Sequence, residues 1–393
     1  MKRDFLRNAL LSTLFSLAVF AACNGKEPQR TVPPDESKNA QNGAMNPAPD
    51  PMTAPTTDAT PVKAAVPVDP APTRDATPVA PVAPAAPDLS KPLTDAQEAA
   101  LKTITGEKLG TTKEHYYTSN ETRYDLWYPQ LDNLGGAYMG VGPDQGYSLA
   151  VAANAELVIL MDYDVEVLAL HKMYFVLVKE CETPQCVLDL LDRKKTEFVY
   201  EKAKAMFDER TARFIKAIHK GSGTFILKNH RARIKQGLDK GGRFWLTDDT
   251  MYKRWRTLVL AGRVRLFPGD LTKGVTMTQI AGALKQMNIP LRVLYFSNAE
   301  EFWRYPQAFR DAIIAMPFDS KSVVLRSITL GEEFKIGWLF HYTIQAAADF
   351  VAWMKVPGSF SIKGIARLKR DPIDGTKYYS RIPAPPADVK MPR

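Results

Sequence analysis

The run from Gly135 to Asp164, GGAYMGVGPDQGYSLAVAANAELVILMDYD, constrains the fold more than any other part of the chain. Its pattern predicts strand, glycine turn, short helix, strand and acid. Ala137 to Met139 end a strand, and Gly140-Val141-Gly142 form a tight turn where backbone can approach a ligand closely. Asp144 is placed to cap a helix over 145–154. Leu157 to Met161 is an unbroken apolar run, as a parallel strand covered on both faces should be, and Asp162 ends it. Nucleotide-binding sheets place a ribose-gripping carboxylate there, about twenty residues past the turn. A bound pyrophosphate is disfavoured. Gln145 stands where a third fingerprint glycine belongs, and Asp144 puts negative charge at the helix mouth. A ligand with a positive centre and an adenosine, such as S-adenosylmethionine, suits the pattern better. The competing reading is a plain βαβ unit whose glycines make only a turn.

The second half repeats the rhythm. Val264 to Phe267 reads as a strand ending in Pro268-Gly269-Asp270, followed by a helix over 277–287. Leu291 to Phe296 is a strand ending in Ser297-Asn298, followed by a helix over 300–310, and Val323 to Leu325 is another strand. Strands alternating with helices predict an α/β fold with a doubly wound, mostly parallel sheet. Ligands sit at the carboxyl ends of such strands, where Gly140, Gly142, Asp162, Asp270, Ser297 and Asn298 all fall. Ahead of the glycine unit, Tyr116, Tyr117, Ser119, Asn120, Glu121 and Arg123 form a polar-aromatic segment suited to a lid or to packing.

Residues 1–23 read as an export signal, with Lys2, Arg3 and Arg7 before the apolar run 9–22. Ala21-Ala22-Cys23 resembles a bacterial lipobox, which makes Cys23 the lipidated residue and membrane anchor, and Asn24 leans towards the outer membrane. Residues 24–92 are rich in Pro, Ala, Thr and Asp, too poor in large apolar side chains to offset chain entropy, and are expected to be a disordered tether. Residues 93–393 form the folded domain, with Asp95 capping its first helix and a helical insertion over about 187–260. In that insertion Phe198, Met206, Phe214 and Ile218 are expected on the buried side, and Gly221 is a natural helix stop.

Cys181 and Cys186 suit a small disulfide loop in an oxidising compartment, or two buried thiols. The five histidines form no close pair and HExxH is absent, so no metal is expected. Neither GxSxG nor GxxxxGK[ST] occurs. His341 with Tyr342 offers a base and an orienting group, against a buried, satisfied histidine; Glu300 and Glu301 suit a helix start. The formal charge of +9, concentrated around Lys228, His230, Arg231, Arg233 and Lys235, implies an anionic envelope partner or a solvated face. No nucleic-acid motif accompanies it.

The set GGAYMGVGPDQGY, VILMDYD, AGRVRLFPGDLT and LYFSNAEEF resembles an uncharacterised bacterial family with a Rossmann-like, class I S-adenosylmethionine-dependent methyltransferase-like fold. The likeness implies that Gly140 and Gly142 hold the methionine part of the cofactor and Asp162 the ribose. It places Asp270 at the adenine, and Ser297 and Asn298 facing the reacting groups. Tyr138 stands where those enzymes carry an acid, and Ser297-Asn298-Ala299-Glu300 replaces their Asn-Pro-Pro-Tyr type of motif. Two functions follow as expectations. One is an exported methyltransferase-like protein binding S-adenosylmethionine or a related adenosyl ligand. The other is a non-catalytic envelope lipoprotein serving as a binding or structural module on anionic surfaces.

Overall fold

A computed structural model describes residues 87–109, 112, 114–236, 243–336 and 339–389. The signal segment, Cys23 and the tether as far as residue 86 lie outside the described residues. Among the described residues no helix is long and apolar enough to cross a membrane.

The strands β1 (Ala137–Gly140), β2 (Leu157–Asp162), β3 (Val264–Pro268), β4 (Leu291–Tyr295), β5 (Val323–Ile328), β6 (His341–Ala346), β7 (Asp371–Pro372) and β8 (Tyr379–Arg381) form one sheet in the order 3-2-1-4-5-6-8-7. Strands β1 to β5 pair in parallel. Strand β6 runs antiparallel to β5, with Ile328 opposite His341, and β8 lies parallel to β6. From β1 the chain winds outward to β2 and β3, then returns to the other side of β1 for β4. That reversal creates a switch-point crevice at the carboxyl ends of β1 and β4.

Side-chain alternation along the strands divides the core into two. Tyr138, Val158 and Leu160 face α2 (Tyr128–Leu131), α3 (Gln145–Ala152), α4 (Val165–Glu180) and the helices between β2 and β3. Ala137, Met139, Ile159 and Met161 face α1 (Asp95–Lys102), α9 (Val275–Gln286), α10 (Gln307–Ala315) and α11 (Ala347–Lys355). A sheet covered on both faces needs the near-continuous apolar strands that the sequence carries.

Between β2 and β3 the chain forms α4, α5 (Pro184–Leu190), α6 (Thr196–Lys204), α7 (Glu209–Lys235) and α8 (Asp249–Leu260). Cys181 ends α4 and is bonded to Cys186 in α5, with their Cα atoms 5.4 Å apart.

Four local expectations are corrected. The first helix is capped by Thr94, whose hydroxyl accepts from Gln97 N–H while Gln97 reaches back to Thr94 N–H, and Asp95 is its first residue. Gly221 does not stop a helix: α7 runs through it and through Gly223. A Cβ on Gly223 would lie 2.9 Å from the Leu191 carbonyl oxygen, so this glycine serves a close helix approach. Phe198 is exposed rather than buried, with Lys202 Nζ 5.3 Å from its ring centroid. The helix expected over 300–310 divides into a short 3-10 turn (Ala299–Phe302) and α10, because Pro306 starts the latter from an extended conformation.

Candidate functional site

The crevice between the carboxyl ends of β1 and β4 brings together most of the residues singled out from sequence, and Asp144, Asp162 and Ser297 are each hydrogen-bonded within the chain. Gly140 ends β1, where an added Cβ would meet the Tyr138 hydroxyl at 2.4 Å. A Cβ on Gly146 would meet the same hydroxyl at 2.9 Å. The two glycines therefore leave room for the ring of Tyr138. Its hydroxyl is buried without a hydrogen-bond partner among the described residues.

Gly142 has φ 81°, a left-handed conformation that favours glycine. Its N–H donates to Asp162 Oδ2 at 3.0 Å, and Asp164 N–H donates to Asp162 Oδ1 at 2.9 Å. The carboxylate expected to grip ribose thus ties the end of β2 to the turn after β1. It is 8% exposed, and burial raises its pKa to about 6 despite these hydrogen bonds.

Asp144 does not cap α3. Its backbone is helical and its side chain makes no capping hydrogen bond. The fully buried carboxylate instead accepts from Arg233 Nη1 at 3.1 Å and from Trp245 Nε1 at 3.0 Å. Burial opposes its ionisation, but Arg233 and the hydrogen bonds outweigh that and hold its pKa below the usual carboxylate value. Arg233 reaches back from the last turn of α7, so the long insertion helix neutralises the charge that the sequence places at the helix mouth. The Arg233 guanidinium also donates to the Tyr124 hydroxyl and lies 5.0 Å from the Phe244 ring centroid. His230, one turn earlier, is fully buried, and burial lowers its pKa to about 4. Two of the five residues in the basic cluster therefore belong to the interior, while Lys228, Arg231 and Lys235 are exposed.

Glu121 fills the far side of the crevice. Its fully buried carboxylate accepts from the Tyr295 hydroxyl at the end of β4, from Ser297 Oγ at 2.7 Å and from Ser327 Oγ on β5. Burial raises its pKa, with the three hydroxyls opposing. Gln145 Nε2 donates to Tyr295 Oη at 3.2 Å and extends the network to α3. Ser297 adopts φ 53° and faces this network, while Asn298 is half-buried. The segment bearing Glu121 is also held at its other end, where His115 Nδ1 lies 2.8 Å from Asp164 Oδ2 and the Tyr117 hydroxyl donates to Glu166. It enters the crevice as a plug.

Asp270 stands apart, beyond β3. Its carboxylate accepts from Thr272 N–H at 2.9 Å and lies 3.6 Å from Lys273 Nζ, and its own N–H donates to Glu107 at 3.0 Å. A Cβ on Gly269 would meet Met161 Sδ at 2.7 Å, so this glycine serves packing. Glu300 lies in the first turn of the 3-10 helix, as expected of a helix start, and is buried, paired with the fully buried Arg326, and accepts from the Tyr305 hydroxyl at 2.5 Å. His341 is buried, with Nδ1 2.9 Å from the Phe334 carbonyl oxygen and Nε2 2.7 Å from Ser380 Oγ. The Tyr342 hydroxyl accepts from Thr122 N–H at 2.9 Å and Arg123 N–H at 3.0 Å, which leaves it no part in a pair with His341.

Arg233, Trp245 and Tyr295 carried no sequence signal that could tie them to the crevice, because their partners are 89 to 174 residues away. Glu121 was visible within the polar-aromatic segment, though not as a plug.

Two surface cavities lie elsewhere. One of about 580 Å³ is lined by Asn133, Val151, Asn154 and Arg254 near the amino end of β1. The other, of about 330 Å³, is lined by Phe334, His341, Arg370 and Ser380 at the β6–β8 side of the sheet. Among the described residues no group of three or more His, Cys, Asp or Glu could hold a metal ion. No curated protein matches the chain. Residues 116–378, from the Glu121 segment to the approach to β8, match the family model described as a domain of unknown function, DUF7790, and since this is more than half of the 393 residues, the chain belongs to that family.

Proposed function

We propose that this protein is an exported, non-catalytic module of the cell envelope, built on a methyltransferase-like doubly wound sheet whose ligand crevice is closed by its own side chains, and that it acts on anionic surfaces. The observation that carries this reading is that the crevice's carboxylates are held by groups of the same chain. Asp162 holds Gly142 N–H, Asp144 holds Arg233, and Ser297 holds Glu121. The residues present do not fit an adenosyl cofactor in this arrangement. Its ribose would compete with a backbone N–H for Asp162, and its methionine end would meet glycines already packed on Tyr138. The strand order 3-2-1-4-5 supports the inherited fold, and fold does not bring function with it.

The export signal and the Cys181–Cys186 bond agree with an oxidising compartment. The charge of +9 favours an anionic partner. Anchoring through Cys23, with outer-membrane placement, is part of the same proposal. The chain produced from Asn24 onward, and so without signal or acyl group, should sediment with phosphatidylglycerol vesicles at low salt. It should be released as salt rises, and should ignore purely phosphatidylcholine vesicles. Equal behaviour towards both vesicle types would remove the anionic-surface reading.

One observation favours the adenosyl reading. The hydroxyls of Tyr295, Ser297 and Ser327 converge on a carboxylate brought in by a separate segment, so a ligand that displaced Glu121 would meet a ready set of polar groups.

A further inference from the structure

We propose that the cavity beside His341 is a binding site for a phosphate-class anion, a phosphate monoester or diester carried by a lipid headgroup or by a small soluble ester. This rests on the reading of an anion-directed module and gives it a defined site. The cavity has a volume of about 330 Å³, enough for a phosphate and the start of its ester group. Arg367, Lys369, Arg370 and Lys377 contribute to its wall, and among the described residues no carboxylate does. A chain with 43 acidic residues has many ways to neutralise such a cluster. Here Asp371 approaches Lys369 at 3.5 Å, whereas Arg367 and Lys377 make no ion pair among the described residues.

The wall is also held in place. Arg370 lies with its guanidinium carbon 4.3 Å from the Phe334 ring centroid and donates through Nη1 to the Ala366 carbonyl at 2.9 Å. Among the described residues its guanidinium makes no other side-chain hydrogen bond. His341 is braced between the Phe334 carbonyl and Ser380 Oγ. Burial, with Arg370 adding to it, lowers the His341 pKa to about 4, so the histidine is neutral near pH 7 and acts as scaffold. Positive charge in the cavity comes from arginine and lysine, whose donors suit phosphate oxygens. The site sits where β6 begins, opposite the carboxyl end of β5, three strands from β1 and separate from the filled crevice.

The test uses the chain from Asn24 onward and two variants. One is Arg367→Glu with Lys377→Glu, which changes exposed residues of the cavity. The other is Lys228→Glu with Arg231→Glu, which changes the exposed face of α7. Each is titrated with glycerol 3-phosphate and sedimented with phosphatidylglycerol vesicles. The proposal predicts that the cavity variant loses at least about tenfold in affinity for one or both probes, and the α7 variant less than about threefold. Loss in both probes supports a general phosphate site, and loss on vesicles alone supports a lipid headgroup. Cavity-variant binding equal to the parent in both arms overturns the cavity site. If the α7 variant alone then loses vesicle binding, the anionic-surface function survives without it. If the parent binds neither probe, both proposals fall.

Discussion

The Asp144–Arg233 pair shows how one contact between distant residues changes what a short motif can do. From sequence, Asp144 is a negative charge at a helix mouth, and its place at the start of α3 is legible. What neutralises it is not, because Arg233 lies 89 residues further on in a cluster that reads as solvated. Removing one member of a buried ion pair leaves the other unpaired, so Arg233→Ala should lower unfolding stability by about 3–5 kcal/mol in urea titration. A loss below about 1 kcal/mol would mean that water already reaches Asp144. Gly140 makes the same point in steric form. Its turn is visible in sequence, but the object packed on it is Tyr138, two residues back. Gly140→Ala should destabilise the protein by about 1–3 kcal/mol through overpacking. Tyr138→Leu in the same chain should recover part of that loss, and a double variant no more stable than Gly140→Ala would show that the turn backbone, rather than the ring, is limiting.

At the scale of elements, periodicity served best where helices and strands meet the sheet. Strands β1 to β5 and helices α3 and α9 fall close to their expected positions because buried apolar runs and glycine turns are local signals. The insertion was harder to read, since its boundaries depend on helix-to-helix approach. Gly221 and Gly223 look alike in sequence and differ in space. Among the described residues nothing lies within 4 Å of a Cβ on Gly221, whereas one on Gly223 meets the Leu191 carbonyl oxygen. Gly221→Ala should therefore raise stability by about 0.5–1 kcal/mol, as expected at an unobstructed helix-interior site. Gly223→Ala should lower the thermal midpoint. Equal effects from the two would contradict the close packing of α7 on the end of α5. The Glu121 segment belongs to this scale as well: its composition suits a lid or packing, and whether it covers or fills a crevice depends on the depth at which Tyr295 and Ser327 meet it.

For the whole molecule, the buried histidines set the response to acid. His171, His230 and His341 each have a folded pKa of about 4, below the ordinary 6.5, with burial the largest cause. A base with a depressed folded pKa contributes stability above its unfolded value and loses it as pH falls towards the folded value. Each should therefore cost about 1.4 kcal/mol per pH unit below 6.5. Asp162, raised to about 6 by burial, has the opposite sign below that pH, as does Glu121. Three histidines outweigh two acids, so the thermal midpoint should fall between pH 7 and pH 5. A midpoint that stays level or rises over that range would mean that these imidazoles are not neutral in the interior.

The central claim concerns the crevice between β1 and β4, and calorimetric titration of the chain from Asn24 onward with S-adenosylmethionine and S-adenosylhomocysteine tests it directly. The closed crevice predicts no binding of either compound up to millimolar concentration by a sample with a cooperative thermal transition. Micromolar binding, weakened in Asp162→Ala, would contradict it and would make the Glu121 segment a displaceable plug over a working adenosyl site.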